Sequence, residues 1–183
     1  MTIAVVILAP ESSGTRLCRR LLMEAGCRGE GGAEDEWNGV LPDDDGTPLV
    51  WRRSVPCLTQ WVNIPDMASR LRARGYDVWV VTIRRSFAET TRSQVRNGYV
   101  ETLADAEART RRAIWWIADG ILRADLIDRH LPLTYSGLVL HPETTLRWLF
   151  SNLSLPTDRI PDLARMVYDG NAPYQKGIVN AAS

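Results

Sequence analysis

The chain has 183 residues, and its 22 basic and 22 acidic side chains give a formal net charge of zero. This length is typical of one domain with a core of ordinary size, so we expect residues 1–183 to form a single domain. A neutral chain gives no reason to expect nucleic acid or a membrane as partner. The 3 cysteines are odd in number and lack metal-ligand spacing. We therefore expect reduced thiols in a cytoplasmic protein without a bound metal.

The segment at residues 3–22, IAVVILAPESSGTRLCRRLL, predicts a strand, a tight loop and a helix. Residues 3–9 are apolar without alternation, which is typical of a central strand buried on both faces and too short to span a bilayer. Small residues then lead to Gly14, after which leucines recur at helical spacing. Because this geometry directs backbone N–H groups at an anion, it predicts a phosphate-binding loop. The alternative interpretation is a Ser/Gly turn that only connects strand to helix.

Strands and helices alternate along the rest of the chain. A Gly- and acid-rich surface excursion is expected over 26–47. The other predicted elements are strands at 49–51, 77–83 and 133–140, and helices at 66–74, 87–95, 101–122, 141–153 and 160–168. Strands separated by helices indicate a three-layer α/β fold, with a parallel sheet flanked by helices. In such a sheet the loops after Ala9 and Ile83 lie at one edge and can contact one ligand.

The longest predicted helix, 101–122, carries a stripe of residues at helical spacing, which we expect to face the core. The members of this stripe are Leu103, Ala106, Thr110, Ala113, Ile114, Ile117 and Ile121. In the helix at 66–74 we expect Met67 and Leu71 to face inward.

The loop Pro-x-Ser-x-Gly-Thr at residues 10–15 departs from the Walker A pattern. Ala9 stands at its first glycine and Thr15 at its lysine, which argues against ordinary ATP or GTP hydrolysis. The loop instead resembles the 5′-phosphosulfate loop of sulfotransferases, which receives 3′-phosphoadenosine 5′-phosphosulfate (PAPS). The resemblance assigns cofactor binding here to Ser12, Ser13, Gly14, Thr15 and Arg16.

Three later segments resemble the same family in the same order. In VVTIRRSFAETTRS, Arg85 and Ser93 fit the arginine and serine, eight residues apart, that bind the 3′-phosphate. A strand-end arginine suits this role because it offers a bidentate fork. In LTYSGLVLHPETTLRWLFSNLSLP, Tyr135 matches the tyrosine near the adenine. Lys176 and Gly177 resemble the tail motif RKG, which closes over the 3′-phosphate.

Taken singly, each later match also fits a structural role. Arg85 and Ser93 fit solvated helix residues, the Tyr135 segment fits amphipathic core, and Lys176 fits a tail charge. The ordered combination of four matches favours a short, divergent sulfotransferase with a P-loop NTPase-like fold.

The departures from the family concern its chemistry. The family loop carries a Lys or Arg just before its Ser/Gly-Gly-Thr, but here that stretch reads Glu11-Ser12-Ser13 and contains no cation. Arg16 is the best substitute for that cation, since the leaving phosphate gains negative charge. For the base that takes the acceptor's proton, Glu36 lies in the most suitable carboxylate cluster, 34–36. That cluster also fits a solvated surface. Arg52 and Arg53 fit either an acidic or sugar acceptor site or a strand-end surface pair.

The resemblance therefore implies an enzyme that moves a sulfuryl group from PAPS to a hydroxyl or amine of a small-molecule or carbohydrate acceptor. One alternative is a P-loop kinase for a small molecule or nucleotide, which a loop lysine and a Mg²⁺-binding aspartate would have favoured. The other is a nucleotide-binding module that kept the 3′-phosphate site and lost the chemistry. The oligomeric state is not predicted.

Overall fold

The computed structural model describes residues 2–29, 45–57, 59–125 and 127–168. The strands of this part are β1 (Ile3–Pro10), β2 (Leu49–Val55), β3 (Asp77–Arg84) and β4 (Arg129–Thr134). Its helices are α1 (Thr15–Glu24), α2 (Ile64–Ala73), α3 (Phe87–Arg96), α4 (Leu103–Arg123), α5 (Tyr135–Leu140), α6 (Pro142–Leu153) and α7 (Ile160–Arg165). The loop after β1 therefore leads directly into α1, as predicted.

The strands form one parallel sheet in the order β2-β1-β3-β4. The central strand β1 pairs with β2 and β3, so that Val6 lies between Trp51 and Val80. The last seven residues of β1 are all buried, which explains its apolar sequence without alternation. The predicted α/β fold with a parallel sheet is confirmed, and the loops after β1 and β3 lie at the same edge.

Helices cover both faces of this sheet. On one face, α2 and α4 pack over Ala4, Val6 and Leu8 of β1. Successive side chains of a strand point to opposite faces, so Val5 and Ile7 face the other layer, and α1 contacts β1 and β2. Met67 and Leu71 of α2 are buried, as predicted. The result is the three-layer arrangement expected from the alternation of elements.

The inward face of α4 differs from the predicted stripe at two positions. Leu103 and Ile114 are 46% and 52% exposed, so their placement in the core was wrong. The buried residues are mostly small: Ala106, Thr110, Ala113, Ile117 and Gly120. A Cβ on Gly120 would lie 2.6 Å from Ile64 Cδ1, so small residues are what allow α4 to approach α2.

Two predicted strands also had wrong boundaries. The strand predicted at 133–140 corresponds to β4, which begins at Arg129 and ends at Thr134, and α5 begins at Tyr135. The strand predicted at 49–51 continues as β2 to Val55. Residues 27 and 28 of the predicted excursion contact the core, since Cys27 is buried and Arg28 bridges to Leu49. Residues 30–44 of it lie outside the described part of the chain.

The chain divides into two compact units, Met1–Tyr135 and Ser136–Ser183. The first unit contains the whole described sheet and α1 to α4. In the second unit α6 packs on α7, and Thr145 Oγ1 donates a hydrogen bond to the Gly137 carbonyl (2.8 Å). The single domain expected for residues 1–183 stays a prediction. No helix in the described ranges is long and apolar enough to cross a membrane.

All three cysteines are free thiols. Burial raises the pKa of the Cys18 thiol to about 12, with a smaller contribution from Cys27. Burial alone raises the pKa of Cys27 to about 12. Since the thiolate is the reactive form, these two cysteines are packing residues at neutral pH rather than nucleophiles.

Candidate anion-binding site

The N-terminus of α1 has no cap supplied by the chain. Its N-cap residue is Gly14, which has no side chain to accept a hydrogen bond from the first turn. The first turn also contains no acidic residue. The first N–H groups of a helix lack intrahelical acceptors and carry partial positive charge. This end of α1 is therefore suited to accept an anion.

The loop before α1 has a strained backbone. Gly14 has φ 93°, and Ser12 has φ 67°, a left-handed conformation that serine rarely adopts. The Ser12 Oγ atom is buried and has no hydrogen-bond partner among the described residues. Ser13 and Thr15 are also buried, with 2% and 5% of their surface exposed. Such strain and unsatisfied polar groups are typical of ligand-binding loops.

Gly14 is required by its neighbour as well as by its backbone angle. A Cβ at this position would lie 2.5 Å from Cδ2 and 2.9 Å from Cε2 of Tyr135. The Tyr135 ring, which is 7% exposed, therefore packs directly on the loop backbone. The structure thus brings together two predicted site residues, Gly14 and Tyr135, that are 121 positions apart in the sequence.

Arg85 links the end of β3 to this loop. Its Nη1 donates a hydrogen bond to the Ser12 carbonyl oxygen at 2.6 Å. Its guanidinium carbon lies 4.8 Å from the centroid of the Tyr135 ring, and Nε lies 3.8 Å from Glu89 Oε2. The side chain is 9% exposed. The predicted 3′-phosphate arginine therefore contacts the predicted 5′ loop directly, and the two loops do converge.

Ser93 lies in the second turn of α3 and is buried. Its hydroxyl accepts hydrogen bonds from Arg96 Nη2 (3.3 Å) and Asn97 Nδ2 (3.4 Å). Ser93 and Arg85 share no hydrogen bond in the described structure. The spacing placed both residues on the correct elements, and their joint role in binding a phosphate stays a prediction.

Arg16 is the second residue of α1 and is exposed. It forms no ion pair with any residue that the structure describes, so its charge is available to a ligand. Three other predicted site residues, Glu36, Lys176 and Gly177, lie outside the described ranges. Their assigned roles stay predictions.

Sequence reasoning missed a group of buried polar contacts behind the loop. The Glu11 carboxylate pairs with Arg109 of α4, and Oε2 lies 2.7 Å from Nη2. Gln94 Nε2 of α3 donates to the Glu11 carbonyl oxygen (3.2 Å) and to Thr110 Oγ1 (3.1 Å). The only sequence signal was an acid at a position where an anion-binding loop favours a base. Nothing in the sequence identified a partner 98 residues away.

Arg52 and Arg53 are not a surface pair. Both belong to β2 and are buried, with 8% and 7% of their surface exposed. Arg53 Nη2 donates to Gln60 Oε1 at 3.1 Å, and Arg52 Nη1 donates to Ser54 Oγ at 3.3 Å. In register they stand opposite Ile7 and Leu8 of β1. Their alternative role in binding an acceptor stays a prediction.

Neither histidine lies in the loop after β1 or directly after β3. His130 lies on β4, where a ring nitrogen is 2.8 Å from Thr82 Oγ1, and burial lowers its pKa. His141 precedes α6 and is exposed. Among the described residues, no group of three or more His, Cys, Asp or Glu side chains could hold a metal ion.

No family model matches the sequence, and no curated protein matches it. Solved structures do match the fold. The "Sulfotransferase Domain from the Curacin Biosynthetic Pathway" has a TM-score of 0.64 at 15% identity, covering 87% of this chain and 76% of that chain. The "Sulfotransferase Domain from the Synechococcus PCC 7002 Olefin Synthase" has a TM-score of 0.63 at 16% identity, covering 95% and 82%.

A third match is the crystal structure of mouse sulfotransferase SULT7A1 complexed with PAP, with a TM-score of 0.60 at 12% identity. It covers 89% of this chain and 64% of the mouse chain. At these identities the likeness concerns the fold, which is sulfotransferase-like.

Proposed function

We propose that this chain binds PAPS and transfers its sulfuryl group to a hydroxyl or amine of a small-molecule or carbohydrate acceptor. One observation carries the proposal: in a sulfotransferase-like fold, the uncapped N-terminus of α1 and Arg85, which directly follows β3, meet at one loop. A neighbour of the same fold is described as complexed with PAP, the product left when PAPS loses its sulfuryl group. Fold and site geometry thus favour the same ligand class.

The residues at the loop fit an anionic ligand. Backbone N–H groups of the first turn of α1 would hold the 5′-phosphosulfate, together with the hydroxyls of Ser12, Ser13 and Thr15. The buried Ser12 hydroxyl supports this assignment because it has no partner among the described residues. Gly14 lets the backbone approach the ligand closely. When bound, PAPS would supply the activated sulfuryl group.

Arg85 would serve the 3′-phosphate, with Ser93 as a second donor and Lys176 and Gly177 closing over it. A guanidinium has five N–H donors. Arg85 can therefore keep its bond to the Ser12 carbonyl while other donors face a phosphate. Tyr135 packs on Gly14 and under Arg85, a position that would also allow contact with the nucleoside.

Arg16 would stabilise the charge that develops on the leaving phosphate. It is exposed and stands in the first turn of α1, next to the proposed 5′-phosphosulfate position. A cation is needed there because bond breaking increases negative charge on the phosphate. Glu36 is proposed as the base for the acceptor's proton.

A second candidate function is a nucleotide-binding module without transfer activity. The observation that favours it is that the stretch where the family loop carries a cation contains none here, and its acid, Glu11, is paired with Arg109. A small-molecule or nucleotide kinase has less support, since Arg84 and Arg53 stand near the carboxyl ends of β3 and β2, where a Mg²⁺-binding carboxylate would be expected.

Calorimetry tests the ligand assignment. With EDTA present, adenosine 3′,5′-bisphosphate (PAP) should bind more than about tenfold more tightly than AMP, because the 3′-phosphate adds a charged fork. ATP with Mg²⁺ serves as the kinase control. Equal affinities for PAP and AMP would contradict the assignment.

A transfer assay separates the enzyme from the module. Labelled PAPS is offered with pools of carbohydrates, lipids and small phenols to the wild type, Arg16→Ala and Arg16→Lys. The Arg16→Ala variant should bind PAP normally and transfer about 100-fold more slowly, since Arg16 acts mainly on charge that develops during the reaction. Binding without transfer to any pool would favour the module.

A further inference from the structure

Glu11 places a negative charge at the start of a loop that is otherwise built to accept an anion. Its side chain is 4% exposed, so solvent does not screen this charge effectively. An uncompensated carboxylate here would repel any phosphate or sulfate at the N-terminus of α1. The chain therefore needs a countercharge at this point.

Arg109 supplies that countercharge from α4. Its Nη2 lies 2.7 Å from Glu11 Oε2, and its side chain is 18% exposed. Gln94 holds the main chain of Glu11. Its Nε2 donates to the Glu11 carbonyl oxygen (3.2 Å) and to Thr110 Oγ1 (3.1 Å). Gln94 and Thr110 are each 1% exposed. The start of the loop is thus held by both α3 and α4.

We infer that Arg109 is a positioning residue for anion binding: by neutralising Glu11 and fixing its side chain, it lets a loop that starts with an acid accept an anion. The inference rests on the proposed function as far as the nucleotide is concerned. Arg109 acts through Glu11 and is not assigned any contact with the ligand.

The test compares four variants by calorimetry with PAP. Arg109→Met should weaken binding by about tenfold or more, because the Glu11 charge loses this countercharge. Arg109→Lys should stay within about threefold of the wild type, since the cation is kept. Glu11→Gln/Arg109→Met should also return to within about threefold, because both charges are gone. Arg111→Met is the matched control, as it removes an exposed ion pair with Glu107 on the same helix.

Recovery of PAP affinity in the double variant would show that Arg109→Met acts through the lost charge, since the packing of the Arg109 side chain is lost in both variants. If Arg109→Met binds as the wild type does, or if the double variant is as weak as Arg109→Met, the inference is wrong. Circular dichroism and thermal unfolding of each variant check that the fold is intact. If Arg109→Met fails to fold, Arg109→Gln takes its place, because it also removes the charge while keeping a polar side chain, and the same loss of about tenfold is expected.

A second probe, inorganic sulfate, makes the result independent of the nucleotide. Sulfate binding is followed through the backbone amide shifts of residues 12–17 in the same variants. If the wild type binds sulfate there but not PAP, and the variants keep the order above, the proposed function fails and the inference stands. If sulfate binding is the same in wild type and Arg109→Met, the inference fails whatever the nucleotide result.

Discussion

The N-terminus of α1 differs from the N-termini of α2, α3 and α4 in how its N–H groups are satisfied. Each of the other three has an N-cap side chain that accepts a hydrogen bond from the third residue of the helix. Each also has an acid in its first turn. The caps are Asn63, Ser86 and Thr102, and the acids are Asp66, Glu89 and Asp105. Helix α1 begins after Gly14 and has neither feature.

The difference favours the N-terminus of α1 as the place for a ligand. In α2, α3 and α4 the chain itself satisfies a free N–H group and opposes the helix dipole. Helices α6 and α7 also begin without a side-chain cap, but each has an acid in its first turn. Helix α1 has neither feature, and the loop before it contains the left-handed residues Ser12 and Gly14; the proposed anion would supply what its N-terminus lacks.

The largest effect is expected from filling the space at Gly14. Gly14→Val would place a β-branched side chain at φ 93° and into the Tyr135 ring. We expect loss of detectable PAP binding in calorimetry. We also expect the free energy of unfolding, measured with urea, to fall by about 2 kcal/mol or more.

Gly75→Val is the matched control for this change. Gly75 follows α2 with φ 87°, and a Cβ added there would have nothing within 4 Å. It should lose stability, by about 1–2 kcal/mol, and keep PAP binding. If Gly14→Val and Gly75→Val bind PAP equally well, the α1 end has no special role.

A smaller effect is expected from removing the link between β3 and the loop. Arg85→Ala should weaken PAP binding by more than about tenfold, because a charged donor to phosphate is lost. The Arg85 bond to the Ser12 carbonyl predicts that AMP, which has only the 5′-phosphate, also binds more weakly. Arg84→Ala, at the exposed neighbour, should leave both affinities unchanged. If Arg85→Ala binds AMP as tightly as the wild type does, Arg85 does not contribute to binding at the 5′ loop.

The smallest effect is expected at a capped helix. Thr102 Oγ1 accepts a hydrogen bond from the Asp105 N–H at 3.1 Å. Thr102→Ala should lower the free energy of unfolding by about 1 kcal/mol, measured by urea denaturation. PAP affinity should stay the same, since this cap serves only its own helix. If Thr102→Ala changes the affinity for PAP and leaves the free energy of unfolding unchanged, the capped end of α4, not only the end of α1, takes part in binding.

Much of the fold was predictable because its signals are local. The apolar run of β1, the small residues up to Gly14 and the leucines after it defined strand, loop and helix within one segment. The strand that precedes Arg85 was found in the same way. The strand predicted at 133–140 was wrong beyond Thr134, because a short apolar run has no period that separates helix from strand.

The features that stayed hidden depend on contacts distant in sequence. Leu103 and Ile114 were expected in the core because they are apolar, but close packing of α4 on α2 favours small residues such as Gly120. Glu11 was recognised as an unusual acid, yet its pairing with Arg109 is set by how α4 lies behind the loop. Likewise, Tyr135 was assigned to the site by resemblance, and its contact with Gly14 needed the structure.

Backbone amide shifts during a PAP titration compare all the helix ends in one experiment and so show whether the ligand binds at the N-terminus of α1. We expect the largest shifts on residues 12–17, with further shifts at Arg85 and Ser93. The first-turn amides of α2 and α4, which are capped by the chain, should stay unchanged. If PAP shifts those capped ends and leaves residues 12–17 unaffected, the N-terminus of α1 is not the binding site.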